Sequence, residues 1–153
     1  MKWYLILPIL ALSIGYSSQS LSHVVPRSEA KTCLALNAYH EARGEGFAGQ
    51  VAVNQVAMRR AGLDYRRVCY EIYKPHQFSW TKNRPRNSGT LPTGTAWKAA
   101  LIVAEVALVW AADPRSFPDF SNHATYYHSY KVKPYWIRGL ELVAMVGDHK
   151  FYR

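Results

Sequence analysis

Apolar positions at Ala30, Leu34 and Ala38 recur at four-residue steps, the spacing of one helix face. Ser28 just ahead of them predicts an N-cap, and the helix should run to about Ala42. That places Glu41 at the C-terminal end of the helix, beside its buried stripe. Gly44 is the expected left-handed residue that ends it. From about Phe47 to Ala61 the positions Val51, Val53, Val56, Ala57 and Met58 are too apolar for a surface helix, so a central helix is predicted, closed by Gly62. Asp64 predicts the cap of a third helix, Tyr65 to Tyr73, with Val68, Cys69 and Ile72 inward and Arg66 and Arg67 outward; Pro75 stops it. Residues 74–95 are polar and carry no acid, and Pro75, Pro85, Gly89, Pro92 and Gly94 break them up. A loop of that length is a functional candidate.

Thr95 opens a fourth helix to about Ala112, broken at Asp113-Pro114, and the aromatic run "ATYYHSYKVKPYW" reads as a loop. The tail "LELVAMVGDHKFYR" alternates imperfectly around Gly147-Asp148, which suits a short hairpin with glycine first in its turn. No internal repeat interrupts the chain. The expected fold class is α+β, mainly helical, with a small C-terminal β-hairpin.

The N-terminus has a different pattern. Lys2 is followed by an apolar stretch from Trp3 to Tyr16, shorter than the ~17–25 residues of a comfortable membrane-spanning helix and weakened by Pro8 and Gly15. Small residues follow at Ser17, Ser18, Ser20 and Ser22. Residues 1–22 therefore read as a signal peptide or a releasable signal anchor, residues 23–30 as a linker, and 31–153 as the folded domain. Membrane contact is expected only through that N-terminal segment.

Export changes the reading of Cys33 and Cys69. An oxidising compartment permits a bridge between them, whereas two buried free thiols would need no oxidant. Charge adds a partner class. Nineteen Lys and Arg against ten acids give +9, and without residues 1–27 the chain still carries +7. Such a surface attracts any polyanion: nucleic acid, anionic lipid or cell-wall polymer. No nucleic-acid reader motif occurs, and export argues against that partner.

In so basic a chain, two carboxylates in one turn, Glu41 and Glu45, invite a chemical reading. A general acid must keep its proton near neutrality, so its pKa must be raised by apolar enclosure. A helix C-terminus helps, because its partial negative charge disfavours a carboxylate. A solvated surface glutamate is the plainer alternative. Zinc is tested by "HEARG": position 44 is Gly, so His-Glu-x-x-His fails. His76, His123, His128 and His149 have no ligand spacing either, and neither metal nor cofactor is expected.

The words around the glutamates decide further. "AYHEARGEGFAGQVAVNQVAMRR" resembles the signature of the SleB-type cell-wall hydrolases, the spore-cortex lytic enzymes also found among phage endolysins. In that family Tyr-x-Glu-Ala-Arg-Gly-Glu closes the first helix and Gly-Gln-Val-Ala-Val begins the second, here Tyr39 to Glu45 and Gly49 to Val53. "VCYEIYKPHQFSW", "ATYYHSYKVKPYWIRG" and "VGDHKFYR" extend the similarity over about residues 31–153. The loop at 74–95 is richer in Arg and Lys than the family pattern, and His128-Ser129 stands where Asn-Pro is frequent.

The resemblance implies a lysozyme-like, lytic-transglycosylase-like fold. It also implies cleavage of peptidoglycan strands between N-acetylmuramic acid and N-acetylglucosamine by an exported monomer. It puts the acid/base role on Glu41 and a turn-ordering or supporting role on Glu45, with Ser79 and Tyr127 near the acid. Phe78, Tyr126 and Trp136 join these as candidates for stacking on sugar. Hydrolytic glycosidases need a second carboxylate at a set distance. Between Asp64 and Asp113 only Glu71 and Glu105 occur, both on predicted helices, so a lytic transglycosylase, which needs one acid, fits better than a muramidase. A zinc amidase and a non-catalytic cationic wall-binding protein are the remaining alternatives.

Overall fold

The computed structural model describes residues 25–153; the export segment expected over residues 1–22 lies outside them. Four helices follow the pattern closely: α1 at Arg27–Ala42, α2 at Phe47–Arg60, α3 at Tyr65–Tyr73 and α4 at Gly94–Ala112. The start of α1 differs from expectation. The chain enters it through extended Pro26 and no side chain caps it. Ser28 lies inside the first turn, where its carbonyl accepts the Thr32 hydroxyl at 3.0 Å. Gly44 is not left-handed either. Arg43 keeps right-handed backbone and the Glu45 N–H closes the turn on the Ala42 carbonyl at 2.9 Å, so the reversal into α2 needs no positive φ. Gly62, at φ +69°, does adopt that conformation after α2. Asp64 caps α3, accepting the Arg66 N–H at 3.0 Å.

Helix α2 packs against α1, α3, α4, β1 and β2, which is why it is buried on nearly every side. Val51, Val53, Val56, Ala57 and Met58 are all buried. Two side-chain contacts anchor its buried amides: Asn37 on α1 donates to the Asn54 side chain at 3.2 Å, and Gln55 donates to the Pro118 carbonyl at 2.8 Å. A disulfide between Cys33 and Cys69 ties α1 to α3. In the long polar loop, Phe78 is buried and Ser79–Lys82 form a 3₁₀ turn. Arg86 returns to α1, donating from Nε to Glu29 at 3.0 Å.

The C-terminal hairpin is part of a larger sheet. Strands β1 (Tyr126–Ser129), β2 (Leu142–Val146) and β3 (His149–Tyr152) form an antiparallel sheet in the order β1-β3-β2. The aromatic run expected as a loop therefore supplies an edge strand. Both its faces carry bulky side chains, so it lacks the apolar/polar alternation that marks a half-buried strand. Register pairs Tyr127 with Phe151 and Ser129 with His149, which puts these four side chains on the face toward the helices. Tyr126, His128, Lys150 and Tyr152 take the other face.

Candidate active site

Glu41 emerges from the last turn of α1 over the inner face of the sheet. Its Oε2 accepts a hydrogen bond from the Tyr127 hydroxyl at 3.3 Å. Burial raises the Glu41 pKa above the ordinary carboxylate range; the Tyr127 hydrogen bond and the Arg60 charge pull the other way and are the smaller effects. Tyr127 is itself pushed well above the usual phenol range, by burial first and by the Glu41 charge second. It therefore stays a hydroxyl donor. Its ring is fixed from three sides, by Phe78 at 6.3 Å, Phe151 at 5.6 Å and the edge of His149 at 5.1 Å.

Glu45 opens on the same cleft, a cavity of about 430 Å³ lined by Glu41, Glu45, Ser129, Asp148, His149 and the backbone of Gly44, Gly46 and Gly147. Its two oxygens are both engaged. Oε1 pairs with Nδ1 of buried His149 on β3, and Oε2 accepts the Asp148 backbone N–H at 3.2 Å. Two glycines make room for this. A Cβ on Gly49, or on Gly147 in the left-handed turn at φ +55°, would collide with Oε2. Gln50 holds the Glu45 carbonyl at 2.9 Å from α2. The turn between α1 and α2 is thus bolted to the β2–β3 hairpin through one carboxylate.

Arg60, at the end of α2, is buried beside the acid. It donates to the Thr125 carbonyl at 2.6 Å and to Gln77 at 3.0 Å, and its guanidinium lies 5.8 Å from the Phe78 ring and 5.5 Å from the Tyr126 ring. Burial lowers its pKa, though Tyr127, Tyr126, Glu71 and Glu41 oppose that. Beyond Glu41 on α1, His40 stacks on Trp80 at 4.7 Å, and burial, then Arg84 and Arg43, lower the His40 pKa.

Of the five side chains expected to meet sugar, only Tyr127 reaches Glu41. Phe78 is in the core beneath Tyr127 and presents no free face. Ser79 is exposed at the start of the 3₁₀ turn. Tyr126 and Trp136 pack on each other at 5.9 Å, and β1 turns Tyr126 to the sheet face away from Tyr127. Sequence reasoning missed Arg60 and the Glu45 partner His149, which it weighed only as a zinc ligand. The histidines stand apart. His128 hydrogen-bonds Tyr152 at 3.0 Å, His123 faces Asp119 at 3.6 Å and His149 holds Glu45. Among the described residues no three His, Cys, Asp or Glu gather as metal ligands.

Comparison with known proteins adds a family and a fold. A family model described as cell wall hydrolase matches residues 44–152, so Glu45, Tyr127 and His149 fall within the match and Glu41 just precedes it. Two solved structures superpose over 86% of this chain at 24% identity. One is the catalytic domain of the Bacillus cereus SleB protein, covered over 97% with a TM-score of 0.56. The other is the catalytic domain of the germination-specific lytic transglycosylase SleB from Bacillus anthracis, covered over 98% with a TM-score of 0.58. The α+β, mainly helical architecture is the lysozyme-like fold of those domains. No curated protein sequence matches the chain.

Proposed function

This chain belongs to the cell wall hydrolase family, and on that premise we propose that it is a lytic transglycosylase of peptidoglycan with Glu41 as its acid/base. The cut falls between N-acetylmuramic acid and N-acetylglucosamine. Glu41, whose pKa burial raises, donates its proton to the glycosidic oxygen as the bond from muramic C1 breaks. The glucosamine strand leaves as an alcohol and an oxocarbenium-like muramic residue remains. The Glu41 carboxylate, steadied by the Tyr127 hydroxyl, then takes the proton of the muramic C6 hydroxyl, whose oxygen closes on C1. The product is a 1,6-anhydromuramic end, and no water is consumed.

One observation carries this reading over hydrolysis. The second carboxylate in the cleft, Glu45, lies against the His149 ring and accepts the Asp148 N–H, so it is held to the hairpin. Those contacts tie Glu45 to the hairpin, while an internal hydroxyl reacts at a high effective molarity, on the order of 10⁵ M or more when well oriented. Glu45 is then a positioning residue for the cleft. The chemistry asks for no cofactor or metal.

Glu41→Gln tests the assignment in a zymogram on purified walls. Gln keeps the shape and cannot donate the proton, so clearing should vanish. Residual activity within about tenfold of wild type, roughly 1.4 kcal/mol in barrier, would refute the role. The same zymogram separates enzyme from cationic binder, since the latter binds walls without clearing them. Wall polymer lies outside the cytoplasm, so we read residues 1–22 as the export segment and the protein as working there as a monomer. Sequencing the mature N-terminus distinguishes cleaved signal from retained anchor, and an intact Met1 on a cytoplasmic protein would overturn export.

A further inference from the structure

On the other side of Arg60 from the cleft lies a second groove, of about 260 Å³, lined by Arg60, Glu71, Lys74, Gln77, Thr125 and Tyr126. Its charges are of both signs. Glu71 and Lys74, one turn apart at the end of α3, make no salt bridge among the described residues. Arg60 links the groove to the acid: its charge acts on Glu41 and on Glu71. The Tyr126 ring lies over its guanidinium and forms one wall. A groove whose carboxylate and ammonium make no salt bridge, with Arg60 between it and Glu41, fits a ligand that is zwitterionic and attached to the glycan.

We propose that this groove binds the peptide stem carried by the muramic residue, with the stem's carboxylates meeting Lys74 and Arg60 and its side-chain amine meeting Glu71. This rests on the glycan-cleaving reading above and names the part of the substrate that the cleft itself does not hold. Charge-assisted hydrogen bonds at both ends would fix the stem in one direction. Binding energy gathered away from the reacting bond can be used to place that bond against Glu41. Stem-bearing strands are therefore the preferred substrate.

The test compares glycan strands that retain their stems with the same strands stripped of them by an amidase, using the full chain. The wild type should cleave stem-bearing strands with a kcat/KM at least about fivefold higher, the scale expected of a remote contact. Lys74→Ala, at an exposed position, and Glu71→Gln, which keeps shape, should each bring that ratio to within about twofold. Equal rates for the wild type, or a ratio that neither variant changes, would overturn the groove while leaving glycan cleavage intact. Cleavage of neither strand would overturn the glycan-cleaving reading along with it.

Discussion

Tyr127 and Glu41 are 86 positions apart in the chain and meet through a hydroxyl and a carboxylate oxygen at 3.3 Å. The contact couples the edge strand to the end of the first helix and opposes the burial that raises the Glu41 pKa. On the proposed role of Glu41 as acid and later base, the balance between those two effects sets the pH range of the reaction.

Tyr127→Phe removes the donor and keeps the ring. The Glu41 pKa should rise further, because the lost hydrogen bond favours the carboxylate. The alkaline limb of the kcat/KM profile should move to higher pH, while kcat falls because the carboxylate formed in the first step is less well held. A limb that stays in place, or moves to lower pH, would break the link between this pair and the titration.

The same burial predicts a stability effect. A carboxyl whose folded pKa is raised costs no stability below its unfolded pKa, where both states are protonated. The cost grows as pH rises from the unfolded value to the folded one and is complete above it. Glu41→Gln should therefore raise the Tm at neutral pH and leave it near wild type in acid. A lower Tm at neutral pH would mean that Glu41 is not desolvated.

Much of this arrangement was legible in the sequence, and the exceptions have physical causes. Helices α2 and α3 declared themselves through Val51 to Met58 and through Asp64 and Pro75, because their signals are local. The "EARGE" turn located both carboxylates. Strand β1 was hidden, since Tyr126 and Tyr127 face opposite layers and are both large. Pairing across the fold was hidden too. Nothing in the spacing of Glu45 and His149 announces that they touch, and nothing near Arg60 says that its guanidinium lies beside Glu41.

The Glu45–His149 pair predicts a graded series. His149→Ala should lower kcat by about one to two orders of magnitude with little change in KM, the scale of a mispositioned constellation. His149→Asn, which offers an amide N–H where Nδ1 stood, should recover part of the loss. Glu45→Gln should cost less than Glu41→Gln. If Glu45→Gln alone abolished turnover, Glu45 would be the acid.

Gly147→Ala tests the same bolt from the hairpin. The turn has φ +55° and an added Cβ would collide with the held Glu45 carboxylate. Destabilisation of about 1–3 kcal/mol is expected, together with loss of activity. Unchanged thermal unfolding and turnover would show that the hairpin and the turn are not joined through Glu45.

The disulfide closes a sequence separation of 36 residues between α1 and α3. Replacing both Cys33 and Cys69 with Ala should lower stability by roughly 3–4 kcal/mol on the loop-entropy account. Denaturant unfolding of the two proteins measures it. Equal stabilities would show that the bridge does not constrain the unfolded chain.

The product end tests the central claim most directly. If Glu41 acts alone and Glu45 is committed to His149 and Asp148, the C6 hydroxyl captures the muramic C1. Mass spectrometry of digested strands should then show 1,6-anhydromuramic ends, lighter by one water than hydrolytic ends. Reducing muramic ends would contradict the account and make the enzyme a muramidase with Glu45 as its water-activating base.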